Sequence, residues 1–356
     1  MSKATITDIA KELNTTPATV SRALSNHPRI SAKTKKSVHE AALKLNYKRN
    51  GIASSLRSGK THLIGVMIPS AEINFFGSVV HGIESVANSN GYGVLLFQSN
   101  EQKDYEKKGL ENFIAARVDG ILVSIAKDTI DYSHFFEIKS RGVPIVFFDR
   151  TNDDLGLDSV VIDDYKGAFL ATEHLISQGY KRIAHISGPK HLKNFHDRLK
   201  GYMEALQNNG INVDHSLIYN GNISIESGRE GTKHLLSLQD PPDAIFATED
   251  FTALGVIKEL KETGIAVPKQ FGVVGFANEL FGEHITPTLS TVDQQTIQMG
   301  KSALNLLLNI IEKKEIDSHS KQKIVLDPLL IVRESSSKHD GSKSKKNPSK
   351  VVRVGS

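Results

Sequence analysis

Residues 5–24 read Thr5-Ile6-Thr7-Asp8-Ile9-Ala10-Lys11-Glu12-Leu13-Asn14-Thr15-Thr16-Pro17-Ala18-Thr19-Val20-Ser21-Arg22-Ala23-Leu24. Ile6, Ile9, Ala10 and Leu13 recur at helical spacing. Thr5 can cap this first helix, with Asp8 in the first turn beside the positive end of the helix dipole. A second helix begins at Thr16, again a capping residue. Pro17 takes the first helical position, where a missing N–H costs nothing. Val20, Ala23 and Leu24 form its inner face. The turn between them, Leu13-Asn14-Thr15, needs one residue at positive φ, which Asn14 tolerates better than most non-glycine residues. Ser31 can cap a third helix whose Val38, Ala41, Ala42 and Leu45 face inward. Two short helices joined this closely form a helix-turn-helix.

The charge of the chain follows the same division. Residues 1–60 carry 12 Lys/Arg and 3 Asp/Glu, a net +9, and residues 338–356 carry 6 and 1, a net +5. The whole chain is only +4, so the stretch between them is −10. A basic head on an acidic body points to a head that meets a polyanion. The 356 residues contain no cysteine, which removes disulfides, thiolate metal sites and cysteine nucleophiles together. No apolar run approaches the roughly 18 residues of a membrane span, and Met1 to Asn14 contains no signal-peptide core. A cytoplasmic protein without membrane contact is expected.

From residue 62 the pattern changes. Apolar runs of strand length recur at 62–69, 92–99, 120–125, 144–149, 159–162, 182–188, 244–248 and 271–276. Amphipathic helical stretches such as 79–89, 165–178, 198–208 and 252–263 lie between most of them. The alternation predicts an α/β core with parallel, doubly wound sheets. No helix separates 160–164 from the strand before it, so a crossing between two lobes is expected there. The Lys-, Ser- and Gly-rich segment 337–356 is expected to be a disordered basic tail.

The motif run resembles the LacI/GalR family of transcriptional regulators. The head carries Thr19-Val20-Ser21-Arg22, Ile30-Ser31-Ala32-Lys33-Thr34 and Leu45-Asn46-Tyr47. The core carries, in order, Leu63-Ile64-Gly65-Val66-Met67-Ile68-Pro69, Val118-Asp119-Gly120, Pro144-Ile145-Val146-Phe147-Phe148-Asp149-Arg150, Arg198-Leu199-Lys200-Gly201-Tyr202, Ala253-Leu254-Gly255-Val256, Val274-Gly275-Phe276 and Pro287-Thr288-Leu289-Ser290-Thr291-Val292. The resemblance covers about residues 4–334. It implies a headpiece over 1–49, a hinge helix over 50–60 and a two-lobed, periplasmic-binding-protein-like core over 61–336. Lobe one is expected at about 61–161 and 292–321, lobe two at about 162–291 and 322–334.

The resemblance also implies a mechanism. The helix from 16 to 24 enters the major groove of operator DNA and presents Pro17, Ala18 and Arg22 to base edges. Arg22 suits the O6 and N7 acceptors of guanine. Thr5, Thr16, Thr19, Ser21, Ser31 and Thr34 are candidate phosphate contacts, a role compatible with capping. Arg29 and Tyr47 complete the headpiece set. The family's hinge helix matches Asn50 to Arg57, with Ala53 permitting a close pair and Leu56 wedging into a minor-groove base step. Arg49 stands where the family often has proline. One headpiece is small, so a homodimer on a pseudo-palindromic operator is expected.

In doubly wound folds, ligands sit beyond the carboxyl ends of the strands. Those ends carry Asn74, Phe75 and Phe76, Ser124, Asp149 and Arg150 in lobe one, and Arg198, Glu249, Asp250 and Asn278 in lobe two; the resemblance adds Ile223. One of the two phenylalanines is expected in the core. Aromatic faces with carboxylates and an arginine suit a sugar or sugar derivative as effector. Ile223 replaces an aromatic residue common in the family, and Ala277 replaces an aspartate, for which Asn278 or Glu279 can stand in. No cofactor or metal is implied. An enzyme is the first rival, through His185, His191 and His196, but these share no helical face and no catalytic motif accompanies them. A transport-type sugar-binding protein is the second rival. The basic head and the lack of a signal-peptide core argue against it.

Overall fold

The computed structural model describes residues 4–47, 59–313, 321–338 and 350–352. The hinge positions Asn50, Ala53 and Leu56 lie outside the described residues. The chain divides into two compact units, 1–61 and 62–356.

The first unit has three helices, α1 (Ile6–Glu12), α2 (Pro17–Leu24) and α3 (Ala32–Lys44). Each begins on the residue the sequence nominates. Thr5 and Asp8 form a reciprocal capping box, in which the Thr5 N–H donates to Asp8 Oδ2 at 2.8 Å. Thr16 Oγ1 accepts from Thr19 N at 3.2 Å, and Ser31 Oγ from Thr34 N at 3.1 Å. Asn14 has φ +48°, as the tight turn requires. Ile9, Ala10, Val20, Ala23, Val38, Ala41 and Ala42 form the buried core, with Leu13, Leu24, Leu45 and Tyr47 packed around it.

The second unit holds two parallel sheets. The larger has six strands: β1 (Leu63–Ile68), β2 (Gly93–Gln98), β3 (Gly120–Val123), β4 (Ile145–Phe148), β5 (Asp158–Ile162) and β11 (Lys323–Leu326). Their spatial order is β2-β1-β3-β4-β5-β11, all parallel. Alternation sorts its two faces. Ile64, Val66, Leu122, Val146 and Phe148 pack with α4 (Asn74–Ser89) and α11 (Thr296–Lys313). Met67, Ile121, Val123, Ile145 and Phe147 pack with α5 (Lys103–Ala115) and α6 (Ser133–Ser140).

The smaller sheet is β7 (Ile218–Asn220), β6 (Ile183–Ser187), β8 (Ala244–Ala247) and β9 (Gly272–Val274), in that order. It lies between the pair α7 (Asp164–Ser177) and α8 (Lys193–Asn208) and the pair α9 (Ile225–Leu236) and α10 (Asp250–Glu262). The helix pairs approach closely. A Cβ on Gly201 would run into the Tyr165 carbonyl oxygen of α7.

Three segments cross between lobes, at 162–164, 293–296 and 326–329. The first is the crossing expected from the sequence. One expected boundary is corrected. Residues 323–326 pair in parallel with β5, so they belong to lobe one and not to lobe two. Lobe two regains the chain only at β12 (Leu329–Val332), antiparallel to β10 (Thr291–Asp293). The tail also departs from expectation in part. β13 (Lys350–Val352) pairs antiparallel with β12, and Lys338 lies 3.8 Å from the Tyr180 ring centroid. Among the described residues, no helix is long and apolar enough to cross a membrane.

Candidate DNA-binding face and effector cavity

The headpiece exposes the residues that sequence reasoning singles out. Val20 and Ala23 bury one side of α2, so Pro17, Ala18 and Arg22 stand exposed on the other. Thr19 and Ser21 are half-buried, and Thr5, Thr16, Arg29 and Ser31 are exposed. The hydroxyls of Thr5, Thr16 and Ser31 already cap their helices, and Thr34 bonds to Ser31 at 2.8 Å. What these three helix starts offer a phosphate is therefore the free N–H groups of the first turn as much as the hydroxyls. Tyr47 differs from the others, because its ring packs partly buried against the headpiece core.

In the second unit, a cavity of about 60 Å³ lies where strand ends of both lobes meet. Lobe one supplies Ile73, Phe75 and Phe76, from the turn after β1 and the start of α4. Lobe two supplies Phe195, Ile223 and Phe251. Phe75 and Phe76 are 5% and 2% exposed and meet edge to face at 5.0 Å, so both line the cavity while belonging to the core. Glu279 ties the lobes together, accepting from Phe75 N at 3.0 Å.

Charged groups rim the apolar walls. Arg150 donates to both Glu101 oxygens, at 3.0 and 2.7 Å, and lies over the Phe76 ring. Beside it, burial pushes the Asp149 carboxyl above its usual range. Arg198 is 2% exposed and fully engaged. Its Nε donates to Asp164 Oδ1 at 2.8 Å, Nη1 to the Thr248 carbonyl at 2.7 Å and Nη2 to Gln294 Oε1 at 3.2 Å. Its guanidinium carbon stands 3.7 Å from the Phe276 centroid. Glu249 caps α10 through Phe251 N at 3.0 Å, and burial next to Asp250 pushes its carboxyl up to about 8.

Backbone strain gathers at the same place. Asp149 (φ +59°), Ile223 (φ +60°) and Ala277 (φ +131°) all line the cavity. A β-branched residue in the left-handed region costs on the order of 1–3 kcal/mol, and such strain concentrates at ligand sites.

Seven of the ten expected effector contacts line this cavity: Phe75, Phe76, Asp149, Arg150, Arg198, Ile223 and Glu249. The other three are corrected. Ser124 sits behind Asp149 and donates to its Oδ2 at 3.2 Å. Asp250 is fully buried, accepting from Glu279 N and Thr291 Oγ1 at 2.7 Å each. Asn278 bonds to Asp293 and Arg333, at 2.8 and 2.9 Å. Of the two candidates to replace the missing aspartate at Ala277, Glu279 lines the cavity and Asn278 does not. Asn194, Phe195, Phe251 and Gln294 were missed. The aromatic ones, Phe195 and Phe251, sit in the first turn of their helices, a position that could have been searched. His185 serves the core, stacked between Tyr202 and Phe246 with its pKa lowered by burial to about 4.

A headpiece of this kind on a two-lobed core of this topology has known counterparts. Residues 5–50 match the family model for "Bacterial regulatory proteins, lacI family". Residues 61–329 match the model for "Periplasmic binding proteins and sugar binding domain of LacI family". The chain belongs to the LacI family. Like its relatives, this LacI-family chain is a DNA-binding transcriptional regulator. It is 34% identical to catabolite control protein A of Priestia megaterium over 315 residues, 88% of this chain and 94% of the relative. It is 33% identical to the transcriptional repressor CytR of Escherichia coli K12 over 332 residues, 93% and 96% of the two. The lac repressor dimer bound to operator and the anti-inducer ONPF superposes with TM-score 0.83 at 26% identity, over 94% of this chain and all of that one. A CelR–cellobiose complex gives 0.70 at 26% identity, with the same coverage.

Proposed function

We propose that this LacI-family regulator is a repressor. It binds a pseudo-palindromic operator as a homodimer and answers to a sugar or sugar derivative held between its lobes. The observation that carries this reading is the aromatic-walled, carboxylate-rimmed cavity between two lobes, on a chain that begins with a helix-turn-helix. Pro17, Ala18 and Arg22 read the major groove, and Asn50, Ala53 and Leu56 form the minor-groove hinge. The chain works as a binding protein, not an enzyme, and in the cytoplasm, where operator DNA is available. Dimerisation is supported by apolar side chains left in water on lobe surfaces. Leu95 and Leu96, on the sheet-edge strand β2, are 37% and 42% exposed, and Leu280 of lobe two is 60% exposed.

The test has two arms. In fluorescence anisotropy with promoter fragments from its own operon, log affinity should fall linearly with log salt, by about 0.9 per phosphate neutralised. A thermal-shift screen of sugars should raise the melting temperature of the core. A flat salt response, or equal binding to random duplex, overturns the DNA reading.

A further inference from the structure

In the headpiece, residues 25–31 join α2 to α3, and most of them are exposed. His27 is half-buried between its exposed neighbours Asn26 and Pro28. Its main chain helps to end α2. Asn26 takes the left-handed conformation, with φ +54°, and Asn26 N and His27 N donate back to the Ala23 and Arg22 carbonyls at 3.0 Å each. This pair of bonds closes the helix, with asparagine where glycine is commoner. Lys35, from α3, donates to the Asn26 carbonyl at 3.1 Å and ties the same point to the next helix. His27 then opens a turn through Pro28, because Ile30 N donates to the His27 carbonyl at 3.1 Å. The ring of His27 is bonded too. Its Nδ1 accepts from Arg29 N at 3.2 Å.

We infer that His27 is a positioning residue for DNA binding, which sets Arg29 against the duplex at a fixed offset from Arg22. It is bonded on one side to the backbone of Arg22 and on the other to the backbone of Arg29, and both arginines stand exposed. This rests on the reading of Arg22 and Arg29 as DNA contacts. A guanidinium holds a base edge or a phosphate through a planar fork of donors. A turn of the backbone that carries it costs those contacts, although the charge is unchanged. Without the ring bond, α2 still ends where it does, because its closing bonds are main-chain. What is lost is the direction of residue 29.

The chemistry of the ring bond names its conservative replacement. A backbone N–H can only donate, so Nδ1 is the bare nitrogen and the ring proton sits on Nε2. Nδ1 stands as many bonds from the main chain as the Oδ1 of asparagine, and a bond to the N–H two residues on is that of an Asx turn. Asp131, Asn152 and Asp214 make the same bond elsewhere in the chain, from Ser133 N, Asp154 N and Ser216 N at 3.0, 2.8 and 2.9 Å. An aspartate at 27 would bring a carboxylate towards phosphates, within a segment, residues 1–60, that carries a net +9. An imidazole that accepts at Nδ1 makes the turn without that repulsion, and asparagine would do so as well.

Fluorescence anisotropy of the full chain, on the tightest-binding promoter fragment from its own operon, tests this with four variants. Arg29→Ala should weaken binding by about tenfold and His27→Ala by about fivefold, within the span of one lost arginine contact. Because His27 acts through Arg29, adding His27→Ala to Arg29→Ala should change affinity by less than about twofold. His27→Asn should stay within about twofold of wild type, a recovery that a role in ring packing would not allow. Amide exchange across residues 18–24 should be the same in His27→Ala as in wild type. A His27→Ala loss that persists in the Arg29→Ala background overturns the inference and leaves Arg29 as a contact. So does a His27→Asn chain as weak as His27→Ala, or faster exchange throughout α1 to α3, which marks a general folding role. If Arg29→Ala binds like wild type, the reading of Arg29 as a DNA contact falls and this inference with it.

Discussion

Arg198→Ala would be the natural way to probe the effector cavity, but the structure assigns it a larger consequence. Arg198 donates to Asp164, the Thr248 carbonyl and Gln294, and faces Phe276 at 3.7 Å. Truncation leaves the Asp164 carboxylate, 7% exposed, without its cation, and removes the Arg198 donor from the Thr248 carbonyl. Hydrogen bonds to charged groups contribute about 1.5–3 kcal/mol each, and a desolvated cation–π contact about 2. These do not add, and breaking a buried pair at one end typically costs about 3–5 kcal/mol, the loss expected here. Burial already pushes the Asp164 carboxyl up, against the pull of Arg198. Without Arg198 it rises further, so the folded variant favours a protonated Asp164. A folded-state pKa above the unfolded one gives stability that is full below the unfolded value, near 4, and lost as pH rises through the folded value. The defect should therefore be smaller at pH 5.5 than at pH 8. Urea unfolding followed by circular dichroism measures it, since the chain has no tryptophan. Asp164→Asn combined with Arg198→Leu should recover part of the loss. A defect under about 1 kcal/mol, or one independent of pH with no recovery in the double variant, refutes the reasoning.

Three further outcomes follow from the same geometry. Thr16→Ala removes the cap of α2 and should cost the headpiece about 1 kcal/mol, read as faster amide exchange in residues 18–24. Arg22→Ala should weaken operator binding by about 1–3 kcal/mol and relax base preference at one position per half-site; a selection from random duplexes that keeps the original preference contradicts its role. Glu249→Gln should flatten the pH dependence of stability. The wild-type carboxyl, pushed up to about 8, gives stability that is full below its unfolded value and lost as pH rises to about 8. Between pH 5 and pH 8 the variant should lose about 2 kcal/mol less than wild type, a discounted figure because the side chain is partly open to the cavity. Parallel unfolding curves for the two proteins count against the assignment.

The headpiece was legible almost residue by residue because its determinants are local. A cap acts on the N–H three residues ahead, and the positive φ of Asn14 follows from the three-residue turn around it. Strands β1 to β6, β8 and β9 were legible as apolar runs; all but the edge strand β2, whose residues are exposed or half-buried, have both faces buried. Strands β7, β10, β11 and β12 were not. β7 and β10 are three residues long and include polar residues, and β11 alternates exposed and half-buried; β12, Leu329–Val332, is an apolar run that sequence reasoning passed over. The lobe membership of Lys323–Leu326 depends on pairing with Asp158–Ile162, more than 160 positions earlier.

The cavity divides the same way. The order of residues alone determined which types stand at strand ends, and so the aromatic and acidic character of the region and the basic character of the head. Tertiary structure decided which of them face the cavity. It turned Asp250 inward to hold Glu279 and Thr291, tied Asn278 to Arg333, and brought Phe195 and Phe251 to one wall. The reason is physical: a side chain's direction at the end of a strand or helix depends on the partner that satisfies it, and those partners come from segments far away in the chain.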